Sequence, residues 1–265
     1  MPLRGLPEET ILVLIVALIV FILTVWYDTR IRAGHRPFRR PLAAFEVIRA
    51  ALGRGAETGR VIHLSPGAGT VGNRATTAET VAGLLAAERI ATEAAFNGAA
   101  ILVSSGDAVS HLALRGIVRQ AYYRAGQSPI FNAASVQLLA HQDSMAYAAG
   151  VSALYARQRL EASQLIGSLG QELLLVGETG AQHDLPQMMG TTTPAGLPLM
   201  FLSTRSVLIG EEVFAADAYL AAVPGPQARL MTQDFLRMIL ILVVVLGIIY
   251  SLLQPVVGLP PLPGI

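Results

Sequence analysis

The sequence predicts an α/β lobe with a mostly parallel sheet and flanking helices, inserted between an N-terminal and a C-terminal transmembrane helix. Residues 10–27, TILVLIVALIVFILTVWY, form an uncharged apolar run closed by Glu8 and Glu9 on one side and Asp28 on the other. A bilayer core of about 30 Å needs roughly 20 apolar residues at about 1.5 Å rise each, with about 17 as a lower limit, so this run is long enough. A second run, residues 238–253, MILILVVVLGIIYSLL, is shorter but continuous with Phe235 and Leu236. Between the two, short apolar runs alternate with longer helical stretches, which is how βα units around a parallel sheet read.

Composition agrees. With 53% hydrophobic residues and mean hydropathy +0.54, the 265-residue chain is too apolar for an ordinary soluble domain, yet its middle is too polar for a multi-span transporter. The 19 basic and 18 acidic residues leave a net charge of +1, so the overall field does not recruit nucleic acid. No cysteine is present, which excludes disulfides, thiolate catalysis and Cys-ligated metals. Lysine is absent as well, which excludes a Walker A lysine, a Schiff-base lysine and a kinase-type ATP lysine.

Arginine placement sets the expected topology. Only Arg4 precedes the first run, whereas Arg30, Arg32, Arg36, Arg39 and Arg40 follow it. The positive-inside bias then puts the N-terminus outside and the lobe in the cytoplasm. No small-x-small cleavage site follows the run, so it reads as a retained anchor with Trp26 and Tyr27 at the interface. Arg229 and Arg237 precede the second run and no charge follows it, which returns the C-terminus to the outside. The organisation is an extracytoplasmic 1–9, a transmembrane helix 10–27, a basic juxtamembrane segment 28–59, a cytoplasmic domain 60–223, a linker 224–235, a transmembrane helix 236–253 and an extracytoplasmic tail 254–265. This is a two-pass protein of the inner, cytoplasmic membrane.

Leu42, Phe45, Ile48 and Leu52 recur at helical spacing within the juxtamembrane segment, for a helix lying either on the anionic membrane surface or on the domain. In the domain, residues 61–64, 100–104, 135–140 and 163–167 read as strands, with 188–191 and 199–202 as shorter ones. Helices are expected at 78–97, capped by Thr76 or Thr77 and stopped by Gly98, then at 111–125 stopped by Gly126, 145–159, 171–179 and 209–222. VPGPQ, residues 223–227, reads as a stiff linker. Alanine- and glycine-rich helices allow close packing on the sheet or between identical subunits.

In an open parallel sheet ligands bind beyond the carboxyl ends of the strands. There the first strand is followed by GAGTVG, with Gly67, Gly69 and Gly72 matching G-x-G-x-x-G, and the second by Ser105 and Asp107. The third is followed by His141 and Asp143, and the fourth by Ser168. The glycine loop reads either as a pyrophosphate cradle or as a turn that needs positive φ. It departs from the dinucleotide fingerprint in Pro66, in the delay before the helix, and in lacking an acid about 20 residues on. A hydrolase would use Ser168 with His141 and Asp143, but Ile166 stands where the nucleophile elbow needs glycine. Otherwise Ser168 is a helix cap. His141, Asp143 and Asp107 are the only candidate metal set, against a reading as hydrogen-bonded strand-end residues. His63, inside a strand, reads as a packing residue. Glu211, Glu212 and Asp217 read either as helix-terminal charges or as partners of Arg115, Arg119 or Arg124 on another subunit. No catalytic residues and no cofactor are assigned.

The segments FNGAAILVSSGD, MAYAAG, GSLGQE and LIGEEVFAADAYL, the last followed by an apolar helix, resemble an uncharacterised family of bacterial and archaeal membrane proteins, a domain of unknown function. The resemblance covers roughly residues 60–237 and implies a membrane-tethered domain, with no catalytic residues. The expected function is a membrane-anchored scaffold or organiser whose domain forms a homo-oligomer or ring. The alternative is a tethered nucleotide- or small-ligand-binding domain. The lipid bilayer, further copies of the chain and other membrane proteins are the expected partners.

Overall fold

The computed structural model describes residues 8–35, 42–220 and 223–257. Residues 1–7, the arginines Arg36, Arg39 and Arg40, residues 221–222 and the tail from 258 lie outside the described residues. The chain divides into two units, one containing the terminal segments Met1–Arg39 and Ala222–Ile265 and the other Arg40–Ala221.

In the terminal unit, α1 (Glu8–Arg32) packs on α9 (Pro224–Val257). Their meeting point carries a hydroxyl pair, Thr24 Oγ1 to Thr232 Oγ1 at 3.2 Å. Each helix is long and apolar enough to cross a membrane, with windows of mean hydropathy 2.8 and 2.6 that contain no buried residue. Leucine, isoleucine, valine and phenylalanine thus cover surface that water solvates poorly. Residues 224–235, expected as a linker, are instead the first turns of α9. Pro224 and Pro226 stand where the missing N–H costs nothing, because the first helical turn has no intrahelical acceptor for it.

The middle unit is built from α2 (Ala43–Thr58), β1 (Val61–Gly67), α3 (Thr77–Asn97), β2 (Ile101–Ser105), α4 (Ala108–Arg124), β3 (Val136–Leu138), α5 (Ser144–Arg157), β4 (Leu160–Ser168), α6 (Leu173–Gln182), β5 (Gln187–Thr191), α7 (Leu197–Ser203), β6 (Ser206–Ile209) and α8 (Glu211–Leu220). All six strands are parallel, in the order β3-β2-β1-β4-β5-β6. The chain therefore builds outward from β1 to β3, then returns past β1 to build the other half. Since parallel crossovers are right-handed, that reversal sends the helices of the two halves to opposite faces. One face carries α2, α3, α4 and α8 over Ile62, Leu64, Val103, Ile166, Met188 and Leu208. The other carries α5, α6 and α7 over Leu102, Leu165 and Met189.

Of the two readings of the amphipathic helix, the structure has the one on the domain: Phe45, Ile48 and Leu52 are buried in the same core as β1 and α3. Helix α2 runs across the amino ends of the strands, with Gly55 against the start of β1 and Arg54 bonded to Glu161 near the start of β4. Val47 shares a groove with the starts of β5 and β6. The end of α8 meets it there, through stacked Phe45 and Tyr219 rings 5.6 Å apart and a bond from Arg49 to the Tyr219 carbonyl. Both ends of the unit thus lie at the amino edge.

Two expectations are corrected in the last third. Residues 199–202 are helical, within α7, because Pro198 would interrupt a strand ladder but fits the first helical turn. The sixth strand is Ser206–Ile209, so Ile209 ends a strand rather than opening a helix, and Gly210 at φ +56° makes the turn into α8. Helix α4 begins at Ala108, three residues before the expected start, because Asp107 caps it. In α6 the helix is Leu173–Gln182 rather than 171–179.

On the α5 face a polar network crosses the sheet. His63 accepts or donates at both ring nitrogens, to Ser163 Oγ and Ser104 Oγ, each at 2.8 Å. Ser163 also meets the Tyr155 hydroxyl at 2.6 Å, and Ser65 meets the Tyr147 hydroxyl at 2.6 Å. Burial holds the imidazole neutral, with its pKa lowered to about 3, and pushes the Tyr147 phenol up to about 12. The expectation that His63 packs inside a strand is met, and three strands are tied to one helix through it.

The opposite face holds an unsatisfied group. Gln164 is fully buried on β4, on the same face as Ala162 and Ile166, and neither its Oε1 nor its Nε2 has a hydrogen-bond partner. An unpaired buried amide costs about 1–3 kcal/mol, so Gln164→Met, of similar volume, is expected to stabilise the fold by about that much. Thermal melting of the detergent-solubilised protein checks this; a lower melting temperature would show that the amide is bonded.

Candidate functional site

Strand order 3-2-1-4-5-6 places a topological switch point between β1 and β4, and ligands of this architecture bind at the carboxyl ends there, with an anion on the N-terminus of the helix after β1. Gly67 pairs with Ser168 across that gap. Three of the expected site residues, Gly67, Gly69 and Ser168, are brought together at it.

The glycine loop is closed on itself. The Gly67 N–H is bonded to Ser65 Oγ at 3.1 Å and the Gly72 N–H to Thr77 Oγ1 at 2.9 Å. Thr76 Oγ1 donates to the Thr70 carbonyl at 2.7 Å, and Asn73 Oδ1 accepts from the Ala75 N–H at 3.0 Å. Two N–H groups that a phosphate cradle would aim at its ligand are therefore engaged. A Cβ on Gly69 would collide with the Thr80 side chain and with Ser168, and one on Gly67 would lie 2.6 Å from Leu169. Glycine is required at these two positions by the protein's own packing, with positive φ at Gly67 and Gly72 as well.

In the first turn of α3, at the end of the helix where an anion would bind, stands Glu79. It is 7% exposed, and its carboxyl accepts from Thr193 Oγ1 at 3.4 Å, with the Ser168 hydroxyl as its other polar neighbour. Burial raises its pKa above 4.5, opposed by those two hydroxyls. Further along the edge, carboxylates accept backbone N–H groups at the helix starts. Asp107 caps α4 through the Ser110 N–H at 3.0 Å, Asp143 caps α5 through the Ala146 N–H at 2.9 Å, and Glu172 accepts from the Gly170 N–H at 2.9 Å before α6. Glu212 accepts from the Ile209 N–H before α8. The positive helix ends that would attract phosphate are met by the chain's own carboxylates.

The remaining expected residues do not form a constellation. Ser105 is fully buried at the end of β2, with an unpartnered hydroxyl. His141 is exposed beyond β3, at the far edge of the sheet, with β2 and β1 between it and the strand that carries Ser168. Strands lie about 4.8 Å apart, so three intervals separate the two strands by about 14 Å, and the Ser168, His141, Asp143 hydrolase set is not assembled. No group of three His, Asp or Glu suited to a metal occurs among the described residues. Arg124, considered as an intersubunit partner, bonds Glu88 of its own chain at 3.3 Å. Glu79 and Thr193 were not singled out by sequence. Glu79 follows Thr76 by three residues, the spacing of a capping box, and so reads as a local device.

No curated protein and no solved structure matches the chain. A family profile described as a domain of unknown function (DUF6754) matches residues 5–259.

Because the folded-state pKa of Glu79 is raised, the carboxyl supports folding when protonated, below pH 4.5, and that contribution is lost as pH rises through the folded value. Glu79→Gln keeps the shape without the charge. It is expected to melt above the parent at neutral pH, with the gap closing below pH 4.5. Melting curves across pH check this, and a gap independent of pH would remove burial of the charge as its cause.

Proposed function

The chain belongs to the DUF6754 family, and we propose that it is a two-pass membrane protein whose α/β domain serves as an assembly body, organising copies of itself and other membrane proteins, rather than as an enzyme. The observation that carries this reading is the switch point closed by Glu79: the ligand position of the fold is filled from within. The exposed apolar faces of α1 and α9 support insertion in the bilayer. The arginines between residues 30 and 40, against Arg4 alone before α1, support a cytoplasmic domain in the inner membrane.

Homo-oligomerisation is part of this reading, and the domain leaves Leu112, Phe96 and Ile130 in solvent, at 67%, 62% and 63% exposure. Anchors at both ends orient every copy alike, and head-to-tail contacts between like-oriented copies close into a ring. The nucleotide-binding alternative rests on the strand order.

Two measurements test the reading. Native mass of the solubilised protein is expected to give a multimer, with no thermal shift on adding ATP or NAD; a monomer stabilised by either nucleotide would overturn it. The absence of natural cysteine allows a single Met145→Cys, at an exposed residue of the carboxyl edge, to report sidedness. An impermeant maleimide is expected to label it only after permeabilisation, and labelling in intact cells would reverse the topology.

A further inference from the structure

The domain is electrically polarised along its strands. At the carboxyl edge stand Glu79, Asp107, Asp143, Glu172, Glu211 and Glu212, with Arg74 as their basic neighbour in the β1–α3 loop. The amino edge is different. Arg60 precedes β1, Arg157 and Arg159 precede β4, Arg205 precedes β6, and Arg54 projects from the helix that crosses there. The acids of this edge include Glu161, Glu57 and Asp184, with Glu46 on α2 bound to Arg49 at 3.1 Å and Glu93 near the end of α3. Glu161 is buried and bound to Arg54 at 2.5 Å and Arg60 at 3.8 Å, while Glu57 and Asp184 are exposed. Arg157, Arg159 and Arg205 are exposed, and among the described residues no carboxylate pairs with them.

Beside Arg205, at the end of α7, Phe201 and Leu202 are 57% and 77% exposed. They rim the groove, about 420 Å³, that also takes in Val47, Pro186 and Arg205. Arginine next to projecting aromatic and aliphatic side chains is the chemistry of a surface that meets lipid headgroups, the cations pairing with phosphate and the apolar groups entering the acyl boundary. The chain's route adds a second argument. Both ends of the domain leave from this edge, where Phe45 stacks on Tyr219, and the sequence just before Leu42 carries Arg36, Arg39 and Arg40. Tethers that leave from the amino edge give that edge the shorter reach to a bilayer.

We propose that the amino edge is a lipid-docking surface, in which Arg157, Arg159 and Arg205 bind the anionic headgroups of the bilayer and Phe201 and Leu202 enter its interface. The proposal rests on the membrane reading above and adds a fixed footprint to it. The docked lobe turns its acidic carboxyl edge away from the membrane, toward whatever partners it gathers.

The experiment uses the full chain in nanodiscs with a nitroxide on Leu202→Cys, measuring relaxation by oxygen, which favours lipid, and by a water-soluble nickel chelate. Controls are nitroxides on Met145→Cys at the carboxyl edge and on Val16→Cys in α1. With phosphatidylglycerol present, the Leu202 label is expected to become oxygen-accessible and chelate-shielded. That signal is expected to be lost in pure phosphatidylcholine, in about 1 M salt, where the Debye length is about 3 Å, and in Arg157→Gln/Arg159→Gln/Arg205→Gln. The Met145 label is expected to stay in water throughout. A Leu202 label equally water-exposed in all lipids, while the Val16 label lies in hydrocarbon, overturns the docking surface and leaves the anchors standing. A Val16 label in water overturns the membrane reading itself. A Leu202 label shielded from both reagents in every lipid shows a second copy on this face and also overturns the proposal.

Discussion

The carbonyl of Ile166 stands where a side chain on Gly83 would have to be. Helix α3 therefore lies directly on the backbone of β4, closer than any other residue would permit, and it does so while also packing on β1, α2, α4 and α8. That approach is what draws the first turn of α3 over the gap between β1 and β4. Glu79 rides on the same turn, four residues before Gly83, so the closeness of helix and strand brings its carboxyl to Ser168 and Thr193. Gly69 completes the fit, since the Thr80 side chain and Ser168 take up the space beside it. The closure of the switch point is thus a result of packing, propagated one helical turn along.

The alternation of apolar runs with helical stretches was enough to read a parallel sheet with flanking helices, and the positions of β1, β2, β4 and β5 follow from it. Stops at Gly98 and Gly126 were legible because both residues adopt positive φ, at +75° and +70°. At α7 and β6, local chemistry overrules composition. LPLMFL has the apolarity of a buried strand, but Pro198 lacks the donor that a ladder needs, and only Met200 of that helix is buried. SVLI, short and next to Arg205, carried too little pattern to register as a strand.

The candidate site was legible in its location and misleading in its chemistry. Small and polar residues do gather at the strand ends, but the aspartates among them cap the helices that follow. A sequence shows which acids stand near a helix start; it does not show that each is committed to its own backbone. Glu79 escaped notice for the converse reason. Its position in the first turn of α3 has an ordinary local explanation, and its partners Ser168 and Thr193 arrive from far along the chain, through strand pairing that no local pattern records.

Helix α2 comes before the sheet in sequence but lies against the starts of β5 and β6 and the end of α8, with Arg49 reaching a carbonyl 170 residues away. A ribosome delivers it first and its berth last. Until β6 and α8 have emerged, the greasy side formed by Phe45, Ile48 and Leu52 has no finished seat, and contacts of such long range are slow to form. The lobe can be locked only when the second long apolar helix follows directly behind α8, so completion of the domain and arrival of that helix are coupled in time.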